Sequence, residues 1–367
     1  MNPLSRARQA SGFRWIGNRV AAAATASSLT KALPAGTARK FSAFLVTLSL
    51  VVVGGCGPPQ TAHLPTANLT CRLPVGSYPA GAGGFIDLPS GAFVHDSASA
   101  LSYDAASAHW LAVPRAMISP DGSAYADSEF NKVPPYTRVR LIDIASEKDL
   151  ATWPLEGNAA VMGWTLSGVY FVRAASKDPA FHGPELWVLE PRTGQQRLVT
   201  AQPKPSLGLP LFKAWTALGG AAVWSKTVPD TQPSSDILER VDLKTGRAVR
   251  WLTAVRGLNV LGWDEQGRPF IALGDGRSVR LVRLLGPNEV DAILADGFLA
   301  PGTMAPSEVT DSHGSWFMGA GGSIWLLAPG DHRQLARVAA VPMPTPSQPQ
   351  SDVGFPPTFL FVAGPCA

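Results

Sequence analysis

The chain has 367 residues, 46% hydrophobic and 16% charged, with a formal net charge of +4. Residues 1–55 hold seven of the 31 basic residues and no acidic one, which leaves 24 basic against 27 acidic from Cys56 onward, a net of −3. A basic face for nucleic acid is therefore not expected in the folded part, and Pro and Gly, 33 and 36 residues, are too many for a helical repeat.

The first element is a leader. Arg39-Lys40 precedes thirteen uncharged, mostly apolar residues, Phe41–Val53, followed by Gly54, Gly55 and Cys56. A membrane-spanning helix needs about 20 such residues, so the run reads as the core of an export signal. Val53-Gly54-Gly55-Cys56 resembles the lipobox of bacterial lipoproteins. That resemblance implies cleavage ahead of Cys56, a diacylglycerol on its sulfur and acylation of the new N-terminus. The chain would then be held at the extracytoplasmic face of the cell membrane, periplasmic or cell-surface. The alternative is a plain signal peptide or a short uncleaved anchor. Because the stretch ahead of the apolar core is long for a signal peptide, an initiator at Val20, Leu29 or Leu33 is expected. Residues 1–55 thus read as a signal peptide with an N-terminal extension, and residues 56–70, rich in Pro, Thr and Ala and without formal charge, as a flexible tether.

Residues 71–367 read as a single all-β domain with a cysteine near each end, Cys71 and Cys366. In an oxidising compartment their pairing is the expectation, two buried free thiols the alternative. A bridge closing so long a loop would contribute roughly 5 kcal/mol in the chain-entropy model. It also requires the two ends of the domain to meet.

Between the cysteines the chain repeats. After a leftover run "TCRLPV" (70–75), turns ending in Gly and alternating hairpins recur in pairs. They are "LPSG" to Gly91 with "LSYDAASAHW" (101–110), "SPDG" to Gly122 with "RLIDIASEKD" (140–149), and "WTLSG" to Gly168 with "ELWVLEPRTGQQRLVT" (185–200). "WTALG" to Gly219 with "ERVDLKTG" (239–246), "WDEQG" to Gly267 with "VRLLGPNEV" (282–290), and "DSHG" to Gly314 with "SIWLL" (323–327) complete the set, and "TFLFVAGPC" (358–366) is left over. The hairpins step by 41 to 52 residues. Each unit reads as four short strands, as in "AAVMGWTL", "VYFVRAA", "ELWVLEP" and "QRLVT". A four-stranded sheet cannot bury both faces alone, so the units must stack.

"MISPDGSAYAD" (117–127), taken with the turn "VDLKTG", resembles the TolB-like, WD40-like propeller repeats over about residues 85–355. The resemblance implies a β-propeller, with six four-stranded blades expected and a seventh, assembled from both ends, as the alternative. In either case the two leftover runs pair near the closure. The pattern departs from WD40 repeats in lacking a Trp-Asp dipeptide at the end of a third strand, since Trp263-Asp264 sits in another turn.

No motif assigns chemistry. The six histidines have no ligand spacing, and H-E-x-x-H, C-x-x-C, G-x-S-x-G and G-x-x-x-x-G-K are all missing, so no catalytic residue, metal ligand or cofactor is assigned. The acidic turns read as turns rather than calcium loops. Trp164, Trp215 and Trp263 share one position in successive units, as do Trp187 and Trp325, which points to packing between units. Features that do not repeat are better functional candidates: the insertions "SKDPAFHGPE" (176–185), with Lys177, Asp178 and His182, and "SKTVPDTQPSSD" (225–236), with Lys226, Asp230 and Asp236. Tolerated loop growth is the plainer reading of both. The expected function is a non-catalytic binding or scaffolding lipoprotein with an unknown protein, peptide or glycan partner. The alternative is a lactonase-like or other hydrolase with a metal in the central channel.

Overall fold

The computed structural model describes residues 69–132, 135–156, 159–173, 185–201, 212–219, 221–228, 236–254, 257–274, 279–295, 297–298, 308–330, 333–342 and 359–367. Regular structure there consists of strands and two one-turn 3-10 helices, Arg115–Met117 and Ala320–Gly322, with no α-helix among the described residues.

The strands fall into seven antiparallel sheets. β1 (Arg72–Tyr78), β2 (Gly84–Asp87) and β3 (Ala92–His95) form a meander, and β4 (Ser102–Asp104) with β5 (His109–Leu111) a short hairpin. β6 (Ala124–Lys132), β7 (Pro135–Asp143) and β8 (Asp149–Glu156) follow, with a bridge from Ile118 to Tyr125 on the β6 side. Four four-stranded meanders come next. The first holds β9 (Ala159–Thr165), β10 (Gly168–Arg173), β11 (Glu185–Leu189) and β12 (Gln196–Ala201). The second holds β13 (Phe212–Gly219), β14 (Ala222–Val228), β15 (Asp236–Asp242) and β16 (Ala248–Ala254). The third holds β17 (Leu258–Trp263), β18 (Pro269–Gly274), β19 (Val279–Gly286) and β20 (Glu289–Ile293). The fourth holds β21 (Glu308–Asp311), β22 (Gly314–Met318), β23 (Ser323–Leu327) and β24 (Leu335–Ala340). The last strand, β25 (Phe359–Val362), returns to pair with β1, Val75 opposite Val362 and Tyr78 opposite Phe359. The two leftover runs of the repeat therefore share one sheet.

Burial explains why the second strand of each four-stranded sheet is a continuous apolar run. Residues 168–171 of β10, 222–225 of β14, 269–272 of β18 and all of β22 are buried without alternation, as are residues 73–77 of β1. The outer strands β3, β16 and β20 are largely exposed. Strands buried on both faces belong to sheets covered on both faces. The core is accordingly divided into clusters, each shared by consecutive sheets. Val139 and Leu141 meet Phe171 and Leu189, Tyr170 and Leu186 meet Val223 and Val241, and Trp224 and Leu238 meet Ile271 and Val282. Phe270 and Leu281 meet Phe317 and Leu327, and Trp316 and Leu326 meet Leu73 and Leu360. Edge strands of consecutive sheets touch in order as well: β6 with β9, β9 with β13, β13 with β17, β17 with β21, and β21 with β25.

The Thr-Gly turns of the repeat are made locally. Glu190 accepts the amides of Arg192 (3.1 Å) and Thr193 (2.6 Å). Asp242 Oδ1 accepts the amides of Lys244 (3.1 Å) and Thr245 (2.8 Å) and the Thr245 hydroxyl (2.8 Å). Gly194 and Gly246 then take φ of 73° and 70°, the left-handed region that glycine enters without strain. Space demands glycine too, because a Cβ at Gly194 would strike the Trp153 ring of β8 and one at Gly246 the Val199 carbonyl of β12. Each such turn thus packs on the outer strand of the preceding sheet.

Cys71 and Cys366 are joined in a disulfide with a Cα–Cα distance of 5.4 Å. Around it Arg72 N donates to Ala367 O (2.8 Å), and Cys366 N to Asp311 Oδ2 (2.8 Å), which also accepts the Trp316 indole N–H (2.8 Å).

Two readings of the repeat need correction. The "LPSG" turn at Gly91 joins β2 to β3, an outer hairpin, so it is out of phase with the later Gly turns that join first to second strands. Trp215 does not share the position of Trp164 and Trp263. Register shifts leave Met162, Thr216 and Leu261 as single-residue bulges, and the residue two beyond each is Trp164, Leu218 and Trp263. Trp215 sits just ahead of its bulge, because β13 slips at a different point of the spacing to its glycine. Trp187 and Trp325 do correspond: each indole N–H donates to the residue two earlier on the same strand face, Glu185 Oε2 (2.8 Å) and Ser323 Oγ (2.9 Å).

Candidate functional site

Of the candidates from the insertions, Lys177, Asp178, His182 and Asp230 lie outside the described residues, as does Cys56. Lys226 and Asp236, the base of the second insertion, form an ion pair of 2.9 Å between β14 and β15. Both reach the next sheet: Lys226 Nζ donates to Leu258 O (2.8 Å), and Leu258 N donates to Asp236 Oδ2 (2.9 Å). The pair therefore satisfies both backbone groups of the first residue of β17, which would otherwise be buried without partners. Similar polar stitches recur, with Ala159 N donating to Thr137 Oγ1 at 2.9 Å between β7 and β9.

The most perturbed acid is Glu308, on β21. Its Oε2 accepts Trp263 N (2.9 Å), and its Oε1 contacts Thr310 Oγ1. Thr310 Oγ1 also lies 2.9 Å from the Trp263 carbonyl and 2.7 Å from Ser315 Oγ. A carbonyl only accepts and a hydroxyl has one proton, so if Thr310 donates to Trp263 O, the bond to Glu308 must use a proton carried by Glu308. Burial, the largest cause, pushes this carboxyl up to about 8, and the nearby Asp264 carboxylate adds to the rise. Beside it lies a closed charge network. Arg283, 2% exposed, donates to Asp291 Oδ2 (2.8 Å) and to Gly330 O (3.2 Å) and lies 3.7 Å from Asp264 Oδ2. Arg268 pairs with Asp264 at 2.6 Å and Arg333 with Asp291 at 2.7 Å. The cavity among Asp264, Arg283, Thr310 and Ser315 has a volume of about 10 Å³, room for about one water. The cluster joins sheets β17–β20 and β21–β24, and it offers no space for a ligand. Among the described residues no group of three or more His, Cys, Asp or Glu side chains gathers as a metal site.

Space for a ligand exists elsewhere, in a groove of about 420 Å³ between sheets β6–β8 and β9–β12. Its floor and wall are Leu141, Leu150, Ala151 and Trp164, and its rim includes Asp121, from the "SPDG" turn, and Arg192, from the β11–β12 hairpin. Leu150 is 61% exposed. Asp121 Oδ1 accepts the Ser119 hydroxyl (2.6 Å), the Ser123 hydroxyl (2.8 Å) and the Ser123 amide (3.1 Å). These donors, the Ser119 hydroxyl first, hold its carboxyl down at about 2. Sequence reasoning set these residues aside because they belong to repeated turns and repeated tryptophans. The available signal was Leu150, an apolar residue next to the polar turn that ends at Asp149, at the start of β8.

No protein-family model and no curated protein matches the chain. Among solved structures, it is similar to TolB from Acinetobacter baumannii, with a TM-score of 0.36 and 12% identity over 62% of this chain and 54% of that one. It is also similar to the Pyrococcus horikoshii acylaminoacyl peptidase, with a TM-score of 0.40 and 13% identity over 71% of this chain and 41% of that one. An acylaminoacyl peptidase in complex with Z-Gly-Gly-Phe-chloromethyl ketone gives a TM-score of 0.39 and 12% identity over the same shares, 71% and 41%. The chain thus spans about half or less of the length of these proteins.

Proposed function

We propose that this chain is a non-catalytic binding protein, held at the extracytoplasmic face of the membrane by acyl chains on Cys56. In this reading residues 71–367 form a β-propeller, of six blades or, with the β4–β5 hairpin counted as one, seven, that β25 closes, and the groove between sheets β6–β8 and β9–β12 receives a partner. The observation that carries it is the chemistry of that groove. An apolar lining with an ionised carboxylate beside it, fixed by the Ser119 and Ser123 hydroxyls, suits recognition of a partner. Support for the address comes from the Cys71–Cys366 bond, which persists in an oxidising compartment, and from the leader that ends at Cys56. Support for the ring comes from the ordered contacts of successive edge strands and from β25 completing the first sheet. The insertions 176–185 and 225–236, with Lys177, Asp178, His182 and Asp230, are a second candidate contact surface, separate from the groove: their sheets release them beyond Arg173 and Glu185 and beyond Val228 and Asp236, the strand ends opposite those that carry Trp164 and Arg192.

A photo-cross-linking residue in place of Leu150, introduced into the full chain in native envelopes, should trap a discrete partner. No adduct at position 150, with none at 178 or 230 either, refutes the binding function. The anchor is tested separately by mass: Cys56→Ala should leave an unlipidated precursor, and normal maturation of that variant excludes the lipobox.

A further inference from the structure

The groove has two properties that select its occupant. Its floor, Leu141, Leu150, Ala151 and Trp164, offers aliphatic and aromatic carbon. Sugar hydroxyls facing that carbon would have to reach the Ser119, Asp121, Ser123 and Arg192 groups that also line the groove, and each that fell short would cost about 1–3 kcal/mol as an unpaired group. An apolar side chain pays no such penalty, and it removes from water a leucine that is now 61% exposed. The second property is the fixed charge at the rim. Asp121 spends Oδ1 on Ser119 and Ser123, and among the described residues no cation pairs with it. The Asp121 carboxylate attracts a cationic group, and the Arg192 guanidinium on the same groove attracts an acidic or carbonyl group, a pairing that suits a segment carrying both better than a headgroup that is only anionic.

We infer that the groove binds an extended peptide segment of a partner protein, seating one apolar side chain between Trp164 and Leu150 and pairing an adjacent lysine or arginine with Asp121. Arg192, from the other sheet, faces the acidic or carbonyl groups of the same segment. The inference rests on the binding function proposed above and names the chemistry of the partner.

The test uses the full chain in mild detergent and blocked pentapeptides with a central phenylalanine, flanked by lysine and glutamate in either order. Norleucine-for-lysine versions of both serve as controls, and binding is followed by calorimetry. At least one lysine peptide should bind. Asp121→Asn, whose amide oxygen still accepts from Ser119 and Ser123, should weaken that peptide about three- to fivefold, the worth of one partly exposed ion pair. The norleucine peptide should be unaffected by it. Trp164→Ala should weaken both kinds about tenfold or more. Equal loss for lysine and norleucine peptides would mean that Asp121 acts only on the turn, and would overturn the pairing. Silence of every peptide, or tighter binding of a neutral oligosaccharide, overturns the peptide assignment. A partner cross-linked at position 150 alongside silent peptides would keep the binding function and sink only this inference, whereas loss of both removes the function as well.

Discussion

Replacing Glu308 by glutamine exchanges a protonated carboxyl for its nearest neutral analogue, an amide that still accepts Trp263 N and donates toward Thr310. The wild-type carboxyl has its folded-state value raised from 4.5 to about 8, chiefly by burial. Between those values the folded chain keeps a proton that the unfolded chain has released. Stability contributed by the neutral carboxyl is therefore full below about pH 4.5 and is lost progressively as pH rises to about 8. At about 1.4 kcal/mol per pH unit the whole interval sets a ceiling near 5 kcal/mol; water entry and local relaxation bring the expected effect to about 2–4 kcal/mol. Urea denaturation of wild type and Glu308→Gln at several pH values from 5 to about 9 measures it, because other titrating groups cancel in the difference. The variant should gain on the wild type steadily with pH, most of the change falling below pH 8. A difference that stays constant with pH means the carboxyl titrates normally in the folded protein. A carboxyl that is ionised and paired gives the same constant difference over this range, and that result refutes the proton assignment.

Cys366→Ser should cost roughly 5 kcal/mol at most in the chain-entropy model, read as a lower denaturant midpoint that reductant no longer shifts; a wild type indifferent to reductant would show that the bond does not constrain the chain. Lys226→Met and Asp236→Asn should each cost about 2–4 kcal/mol, since either leaves a charge or the backbone of Leu258 without its partner, and the double variant should cost less than their sum. Additive losses in the denaturation cycle would mean the two side chains act independently. Gly122→Ala and Gly194→Ala both place a side chain at positive φ, but only the second meets Trp153. The first should lose about 1 kcal/mol, the second about 3 kcal/mol, and equal melting temperatures for the two would refute the close packing of the hairpin on β8.

The legible parts of this protein are those whose causes lie within a few residues. The turn at Glu190–Gly194 announces itself because a carboxylate, the amides it caps and a glycine stand in fixed order, and the same order returns at Asp242–Gly246. The strands of "ELWVLEPRTGQQRLVT" follow from alternation around that turn. Trp215 misled because spacing to a glycine is blind to a bulge: a one-residue slip at Thr216 moves the tryptophan off the position that Leu218 then fills. Lys226 and Asp236 stand out from the repeat as parts of an irregular loop, and only the approach of Leu258 from the next sheet gives them a second task. The groove was hidden for the opposite reason. Its residues belong to repeated turns, and repetition alone does not say at which pair of sheets the turns stand apart and leave Leu150 and Trp164 open.

From sequence alone come the expectation of a leader ahead of Cys56, the all-β repeat, its turns, and the expectation that both ends of the domain meet through Cys71 and Cys366. These depend on local backbone preference, on short-range capping, and on a disulfide whose two partners are the only cysteines left. Tertiary structure alone decided that β25 joins β1 to complete a four-stranded sheet, that Glu308 is buried against the backbone of β17, and that the "SPDG" turn borders a groove. Each of these is a relation between residues far apart in the chain, set by how buried faces of neighbouring sheets fit together. No periodicity within one unit encodes that fit.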